Sequence, residues 1–332
     1  MTKIEWVRSS DGSQGQTWNP FAGCAVLSPG CTNCYAMKMA ARLDAMGQPL
    51  YKGLTKPSKA GPVWRGTVRA NPDALLAPLK RKKPTTYFVN SMSDLFYEKF
   101  DDEMIDQVFA VMALTPQHTY QVLTKRAERM REYCNSRNAV IRIYNIVCDL
   151  VTDGDARGVL IAPGVEPAIA PPGPRIFLDT WPLPNCWLGV STERQKEWDE
   201  RTEHLRNTPA AVRFVSAEPL LGPIVGKPET MLDLDWIIVG GESGPNARPS
   251  HPDWFRGLRD QCATAGVHFF FKQHGEWLSC TDDDGQISYG GHKVHYWGGP
   301  EVGGDGACYR VGKKAAGRLL DAQLHSAMPG RE

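Results

Sequence analysis

Short apolar runs alternate with longer amphipathic stretches along most of the chain, and a polar turn follows each run. Seven runs have the β-branched and aromatic content of strands, and several are apolar throughout, as expected for strands that are buried on both faces. These runs cover residues 16–19, 86–90, 120–124, 187–190, 212–216, 236–239 and 268–271. Apolar positions at helical spacing predict helices between them, at residues 35–46, 102–114, 127–134, 195–206 and 252–265. Gly266 stands where the last of these helices is expected to end.

Strands that each precede a helix are typical of a parallel sheet. The order therefore predicts an α/β fold, namely an incomplete β/α (TIM-type) barrel with an insertion and a C-terminal extension. Residues 135–184 carry Pro-rich stretches such as APGVEPAIAPPGP, which are typical of an insertion rather than of a barrel element. After residue 275 the chain becomes Gly-rich and acidic, before a predicted helix at residues 313–324. We expect the barrel to span residues 1–276, insertion included, and the extension to span residues 277–332.

The composition is that of a globular protein, because 42% of the 332 residues are hydrophobic and 23% are charged. The formal net charge of +1 excludes a general polyanion binder, so a surface for nucleic acid would have to be a local patch. No apolar run approaches the roughly 20 residues needed to span a bilayer, and the N-terminus lacks the apolar core of a secretion signal. These features predict a cytoplasmic protein with no membrane partner.

Three of the nine cysteines lie in the segment that follows the first predicted strand: Cys24, Cys31 and Cys34. The other six are scattered, which is unlike the disulfide framework of a secreted protein. In a reducing compartment, clustered thiols indicate a metal site. A structural zinc site takes four protein ligands, whereas this segment supplies three with no neighbouring fourth cysteine or histidine. Three thiolates are typical of an iron–sulfur cubane that keeps one iron open for a cofactor.

The cysteine segment reads NPFAGC at residues 19–24 and GCTNCYA at residues 30–36. It resembles the cluster loop of radical S-adenosylmethionine (SAM) enzymes of the spore photoproduct lyase group, which has the form NPYxGCxxGCxYCYA. The cysteine spacing is C-x6-C-x2-C rather than C-x3-C-x2-C, and Asn33 stands where that group has an aromatic residue. The resemblance implies that Cys24, Cys31 and Cys34 bind a [4Fe–4S] cluster, that SAM binds to it, and that a flavodoxin- or ferredoxin-type protein donates the electron.

The chain also resembles a family encoded by phages and prophages that is recognised by an ordered set of motifs. TWNPxxGC, NSMSDLF, LTKR, GVSxE, FVSxEPLL, GGESG and FKQ are all present, and they span residues 17–273. This resemblance implies the same fold and cofactor, and it implies no substrate.

Polar residues follow the predicted strands at the carboxyl edge of the sheet, where β/α barrels bind their ligands. Those predicted to bind the cofactor are Asn90, Ser91, Asp94, Lys125, Ser191, Glu193 and Glu218. The resemblance to radical SAM enzymes implies that Ser91 and Asp94 meet the amino group of SAM and that Lys125 meets its carboxylate. Ser191 and Glu193 would then meet the ribose hydroxyls. A helix cap or an internal ion pair explains each residue about as well when it is taken alone, and no catalytic residue is assigned.

Two functions stay open at this point. The first is a radical SAM enzyme that cleaves SAM reductively to a 5′-deoxyadenosyl radical, which abstracts hydrogen from a substrate. Kinship with phage proteins and with a lyase that repairs DNA favours a nucleic acid or nucleotide substrate, whose phosphates would meet basic residues at 80–83 and 126–131. Solvated helix ends explain these basic residues equally well. The second function is a zinc-stabilised nucleic-acid-binding or host-interaction phage protein without catalysis, which takes its fourth ligand from elsewhere.

Overall fold

The computed structural model describes residues 4–152, 181–279, 292–297 and 306–330. Seven parallel strands follow one another in chain order across one sheet. They are β1 (Gln16–Trp18), β2 (Thr86–Val89), β3 (Thr119–Thr124), β4 (Cys186–Ser191), β5 (Val212–Ala217), β6 (Trp236–Gly240) and β7 (His268–Gln273). Each lies where the hydrophobic pattern predicts a strand, with its ends moved by a residue or two. Parallel strands in unbroken chain order are typical of a β/α barrel, and the sheet is compatible with an incomplete one.

The longer helices are α1 (Tyr35–Ala45), α2 (Asp102–Ala113), α3 (Ala127–Asn135), α4 (Arg137–Thr152), α5 (Gln195–Arg206) and α6 (Pro252–Ala265). All of them except α4 are predicted from the sequence. The predicted end of α6 is confirmed, because Gly266 follows it in the left-handed conformation with φ 72°. Shorter elements are the helices Pro72–Leu75, Pro228–Leu232 and Lys313–Ala316, the 3₁₀ turns Pro29–Cys31, Pro49–Tyr51 and Pro78–Lys80, and the strand pairs Phe21–Ala22 with Arg69–Ala70 and Thr55–Lys56 with Val63–Trp64.

The chain divides into two compact units. The first comprises Met1–Val190 with His204–Arg213, and the second comprises Ser191–Glu203 with Phe214–Glu332. In the first unit, the ring of Tyr120 in β3 lies 5.3 Å from that of Trp18 in β1 and 5.5 Å from that of Tyr87 in β2. The Tyr120 hydroxyl lies 2.5 Å from that of Thr115, just beyond α2. This aromatic face of the sheet is therefore the one that packs towards the helices.

Helix α4 occupies the start of the segment that the sequence marks as an insertion, where no helix is predicted. Its buried apolar side chains recur at helical spacing: Val140, Ile143 and Val147. The buried carboxylate of Asp106 in α2 accepts hydrogen bonds from Arg142 of α4 at 2.6 Å and from Tyr133 of α3 at 2.6 Å. This part of the predicted insertion is thus a packed helix of the first unit.

The second unit carries a small antiparallel sheet of β8 (Trp277–Ser279), β9 (Val294–Tyr296) and β10 (Ala307–Arg310), with β10 in the middle. The predicted helix at residues 313–324 is wrong beyond Ala316, because Gly317 has φ 66° and ends the helix. The chain returns to the sheet instead. The backbone oxygen of His325 accepts a hydrogen bond from the backbone of Phe271 in β7 at 3.1 Å, and so covers the edge of that strand.

Some predicted features lie outside the described residues: the Pro-rich stretch at residues 162–174, the acidic and Gly-rich stretches at residues 282–285 and 298–305, and Cys280. Among the helices that the structure describes, none is both long and apolar enough to cross a membrane.

Replacing Asp106 by Ala should lower the free energy of unfolding by about 2 kcal/mol, because the buried hydroxyl of Tyr133 loses its acceptor. Urea denaturation followed by tryptophan fluorescence measures the loss. Asp102→Ala is the matched control, since Asp102 also contacts Arg142, at 3.1 Å, but its side chain is 55% exposed. The control should lose less than about 1 kcal/mol. Equal losses in the two variants would contradict the role assigned to Asp106.

Candidate cofactor site at the cysteine loop

The three cysteines lie on the segment that connects β1 to α1, called the cysteine loop below (residues 19–34). Cys24 follows the short strand Phe21–Ala22 by one glycine. Cys31 ends the 3₁₀ turn Pro29–Cys31, and Cys34 occupies the N-cap position of α1. The cysteine loop leaves the carboxyl end of a parallel strand, which is the edge where β/α barrels bind their ligands.

Gly23 fixes the path of the cysteine loop. Its φ is 101°, and a Cβ atom at this position would stand 2.1 Å from the backbone oxygen of Thr67. Its backbone nitrogen donates a hydrogen bond to the backbone oxygen of Met92 at 3.0 Å. Only glycine fits here, because the chain passes tightly between two other segments of the first unit.

Side chains at both ends of the cysteine loop tie it to the segment after β2. The side-chain oxygen of Asn19 accepts hydrogen bonds from the Ser91 hydroxyl at 3.0 Å and from the backbone of Met92 at 3.2 Å. The Tyr35 hydroxyl donates to the backbone oxygen of Ser91 at 2.8 Å. Ser91, predicted to bind the cofactor, is therefore brought to the cysteine loop, and its hydroxyl is engaged by Asn19.

Two of the thiols lie close to charged side chains. Cys24 and Cys34 pack against one apolar cluster of the first unit. Burial and the negative charge of Asp94 raise the pKa of the Cys24 thiol to about 12, although the positive charge of Arg126 lowers it. Burial also raises the pKa of Cys34, and Lys125 is among the groups that oppose this shift. Both thiols are protonated at neutral pH, so a metal that binds them must displace their protons.

Sulfur donors of this type suit a thiophilic metal or an iron–sulfur cluster. All three thiols lie on the cysteine loop, within eleven residues of the sequence. Within the described ranges, no three Cys, His, Asp or Glu side chains are arranged as a metal-ligand set. The donors therefore fit a cluster by their chemistry, and a group held by all three sulfurs has to draw them together.

The carboxylate of Asp94 joins the ends of β2 and β3. Its Oδ1 accepts hydrogen bonds from the Thr124 hydroxyl at 2.6 Å and from the backbone of Phe96 at 3.1 Å. Its Oδ2 accepts from the backbone of Lys125 at 3.0 Å and from Nη1 of Arg126 at 3.0 Å. All four donors belong to the protein. Of the two interpretations of Asp94, the geometry favours an internal ion pair over a contact with the amino group of SAM.

Asn90 is a predicted residue whose side chain is left unpaired. It has φ 56°, in the left-handed region that residues other than glycine seldom adopt, and it is 4% exposed. Neither its amide nitrogen nor its amide oxygen has a hydrogen-bond partner among the residues that the structure describes. Leaving such a group buried and unpaired costs about 1–3 kcal/mol. A buried, unpaired carboxamide at the carboxyl end of a strand offers both a hydrogen-bond donor and an acceptor to a ligand.

Gln121, in the middle of β3, also has a buried and unpaired carboxamide, although it belongs to none of the sequence motifs. It is fully buried, and neither of its amide atoms has a partner in the described part of the chain. It pairs in register with Phe88 of β2, so it points to the face opposite to Tyr87 and Tyr120. Asn90 follows Phe88 by two positions, just beyond the carboxyl end of β2. The signal for Gln121 in the sequence is a polar residue inside an apolar strand.

The remaining predicted cofactor residues belong to the second unit. Glu193 is fully buried and pairs with Arg201 of α5 at 3.1 Å. Glu218 pairs with Lys272 at 3.2 Å, and the Ser191 hydroxyl donates to the backbone oxygen of Glu218 at 3.5 Å. Ser191 and Glu218 are thus brought together, whereas the carboxylate of Glu193 is held by Arg201 of the helix that follows it.

The predicted phosphate-binding residues do not form one surface. Residues 80–83 precede β2 at the amino edge of the sheet, whereas residues 126–131 follow β3 at the carboxyl edge. Arg126 is 7% exposed, and Arg129 donates to three backbone oxygens in the segment 96–100. Both arginines therefore satisfy polar groups inside the first unit, and phosphate binding by residues 80–83 and 126–131 stays a prediction.

Comparison with known proteins identifies a family. Residues 1–329 match the family described as Protein of unknown function (DUF5131). No match was found among curated proteins or among solved structures. The family match covers nearly the whole chain and includes both units.

Replacing Asp94 by Asn should lower the free energy of unfolding by about 3 kcal/mol, because the guanidinium of Arg126 stays buried without its buried counter-charge. Urea denaturation followed by circular dichroism measures this. Glu98→Gln is the control, because Glu98 also contacts Arg126, at 3.2 Å, but its side chain is 61% exposed. The control should cost less than about 1 kcal/mol. If Asp94→Asn is equally mild, the carboxylate does not hold the two strand ends together.

Proposed function

The chain belongs to the DUF5131 family, and we propose that it is a radical SAM enzyme built on an incomplete TIM-type barrel. In this proposal Cys24, Cys31 and Cys34 hold a [4Fe–4S] cluster through three thiolates. The observation that carries the proposal is the position of the cysteine loop. The loop that carries the three sulfur donors follows the carboxyl end of β1. Side-chain hydrogen bonds tie this loop to the segment that begins at Asn90, whose carboxamide is unpaired among the described residues.

Three cysteine ligands leave one iron of a cubane open to a cofactor. When both are bound, the cluster and SAM supply reductive cleavage of SAM to methionine and a 5′-deoxyadenosyl radical, which takes hydrogen from the substrate. The protein has to orient the cofactor, exclude water and place one C–H bond of the substrate within reach. A flavodoxin- or ferredoxin-type partner is the proposed source of the electron, in keeping with a cytoplasmic location.

Asn90 is the side chain that we assign to the methionine part of SAM. Its carboxamide offers both donor and acceptor groups, which match the carboxylate and the amino group of an amino acid. Lys125 brings a positive charge near Cys34 and suits the carboxylate of the cofactor. Ser91 and Asp94 are engaged within the protein, so they serve by holding the cysteine loop and the strand ends in place.

In the second unit, Ser191 and Glu218 contact each other, whereas Glu193, predicted with Ser191 to meet the ribose hydroxyls, does not join this contact. Each predicted carboxylate already has a cation partner, Arg201 for Glu193 and Lys272 for Glu218.

The proposed substrate class is a nucleic acid or nucleotide. Its support is the resemblance to phage proteins and to a lyase that acts on DNA. The basic residues near the cysteine loop do not add to this support, because Arg126 and Arg129 are turned into the first unit.

Protein reconstituted without oxygen should contain about four iron and four sulfide per chain. Changing Cys24, Cys31 or Cys34 to Ala should remove the cluster, whereas Cys148→Ala should retain it. Cys148 is a matched control, because it is half-buried like Cys24 and Cys34 but lies on α4. Metal and sulfide analysis of each variant measures whether the cluster is present. One zinc per chain without iron would replace this proposal with the zinc-stabilised binding protein.

The reduced, iron-loaded protein should release 5′-deoxyadenosine and methionine from SAM, and Asn90→Ala should weaken SAM binding about tenfold, as expected for one lost hydrogen bond to a charged group. Asn135→Ala is the control, since the Asn135 side chain is exposed and bonds only backbone oxygens within the described residues. Equilibrium dialysis with labelled SAM gives the affinities. Wild-type affinity in Asn90→Ala would remove this residue from the site.

A further inference from the structure

Arg126 connects the cysteine loop to the ends of β2 and β3. It is the N-cap residue of α3, and its side chain is 5% exposed. Its Nη1 lies 3.0 Å from Oδ2 of Asp94 and 3.8 Å from Sγ of Cys24, while Nη2 lies 3.4 Å from the backbone oxygen of Ala25. One guanidinium therefore contacts a fixed carboxylate on one side and the first cysteine of the loop on the other.

Two further contacts fix the plane of this guanidinium. Its central carbon lies 4.7 Å from the ring centroid of Tyr97, and Nε donates to the Glu98 carboxylate at 3.2 Å. Arginine suits this position because its planar, permanently charged group presents several N–H donors in fixed directions. The compact ammonium of a lysine would not reach Asp94, Ala25 and Cys24 together.

We propose that Arg126 is a positioning residue for Cys24, which holds that ligand through a charge-assisted N–H···S hydrogen bond and makes the bound cluster easier to reduce. The effect on the cluster rests on the proposed function. A positive charge and a hydrogen bond at a ligand sulfur stabilise the reduced state, which carries the extra negative charge. The competing explanation is that Arg126 serves only as the counter-ion of Asp94.

Hydrogen exchange of the full chain tests the positioning role. Arg126→Lys keeps a positive charge beside Asp94 and removes the planar group that reaches the cysteine loop. The backbone amides of Gly23 and Cys31 should exchange about tenfold faster in this variant, as for one lost hydrogen bond to a charged group. Arg129→Lys is the control, because Arg129 lies on the same helix and binds the segment 96–100 instead. Unchanged exchange in Arg126→Lys would overturn the positioning role.

Slow exchange of the β3 amides shows that a variant is folded. Should Arg126→Lys fail this check, Arg126→Gln tests the same loop amides, since its shorter carboxamide can bond Asp94 without reaching Cys24.

The reduction potential of the reconstituted protein tests the effect on the cluster. At a fixed potential, the ratio of reduced to oxidised cluster should fall about tenfold in Arg126→Lys, a shift of about 59 mV for a one-electron couple. Arg129→Lys should keep the wild-type potential. Equal reduction potentials in wild type and Arg126→Lys would overturn the claim that Arg126 makes the cluster easier to reduce. A wild-type protein without iron would refute the proposed function itself, and the exchange result would still decide whether Arg126 positions the loop.

Discussion

The buried ion pair between Asp94 and Arg126 is the contact on which the cysteine loop depends. Two charges removed from water are stable together only when their remaining hydrogen-bonding groups are also satisfied. Here the Thr124 hydroxyl and backbone amides complete the shell of Asp94, and Ala25 and Cys24 of the cysteine loop complete that of Arg126. Asp94 belongs to the NSMSDLF motif, Arg126 to LTKR and Cys24 to TWNPxxGC. Three motifs that lie far apart in the sequence are thus parts of one interaction in the first unit.

The strands and most of the longer helices could be predicted because apolar spacing and turn residues are local properties. Local pattern fails where contacts between distant segments decide the structure. The residues after Gly317 favour a helix, yet Asp321 is held by Arg256 and Arg259 of α6 at 2.6 and 2.5 Å and has φ 51°. In the same way the sequence places Asp94 after β2, but it does not show that its carboxylate accepts four hydrogen bonds, one from Phe96 and three from residues 124–126.

The unpaired carboxamides of Asn90 and Gln121 show where the fold leaves hydrogen-bonding groups unsatisfied. Nearly all buried polar groups in proteins have a partner, so each exception requires an explanation. Gln121 is fully buried in the middle of β3. Asn90 differs in two ways, because its backbone is left-handed and it begins the segment that is bonded to the cysteine loop. A ligand at the loop would pair its amide.

The central claim is that the three cysteines hold a cubane whose open iron binds SAM. The electron paramagnetic resonance spectrum of the dithionite-reduced protein, recorded before and after SAM is added, tests it most directly. The expected result is the signal of a reduced [4Fe–4S] cluster whose shape changes when SAM is added, because the cofactor binds to the cluster itself. A cubane signal that SAM leaves unchanged, or a zinc-loaded protein with no such signal, would contradict the claim.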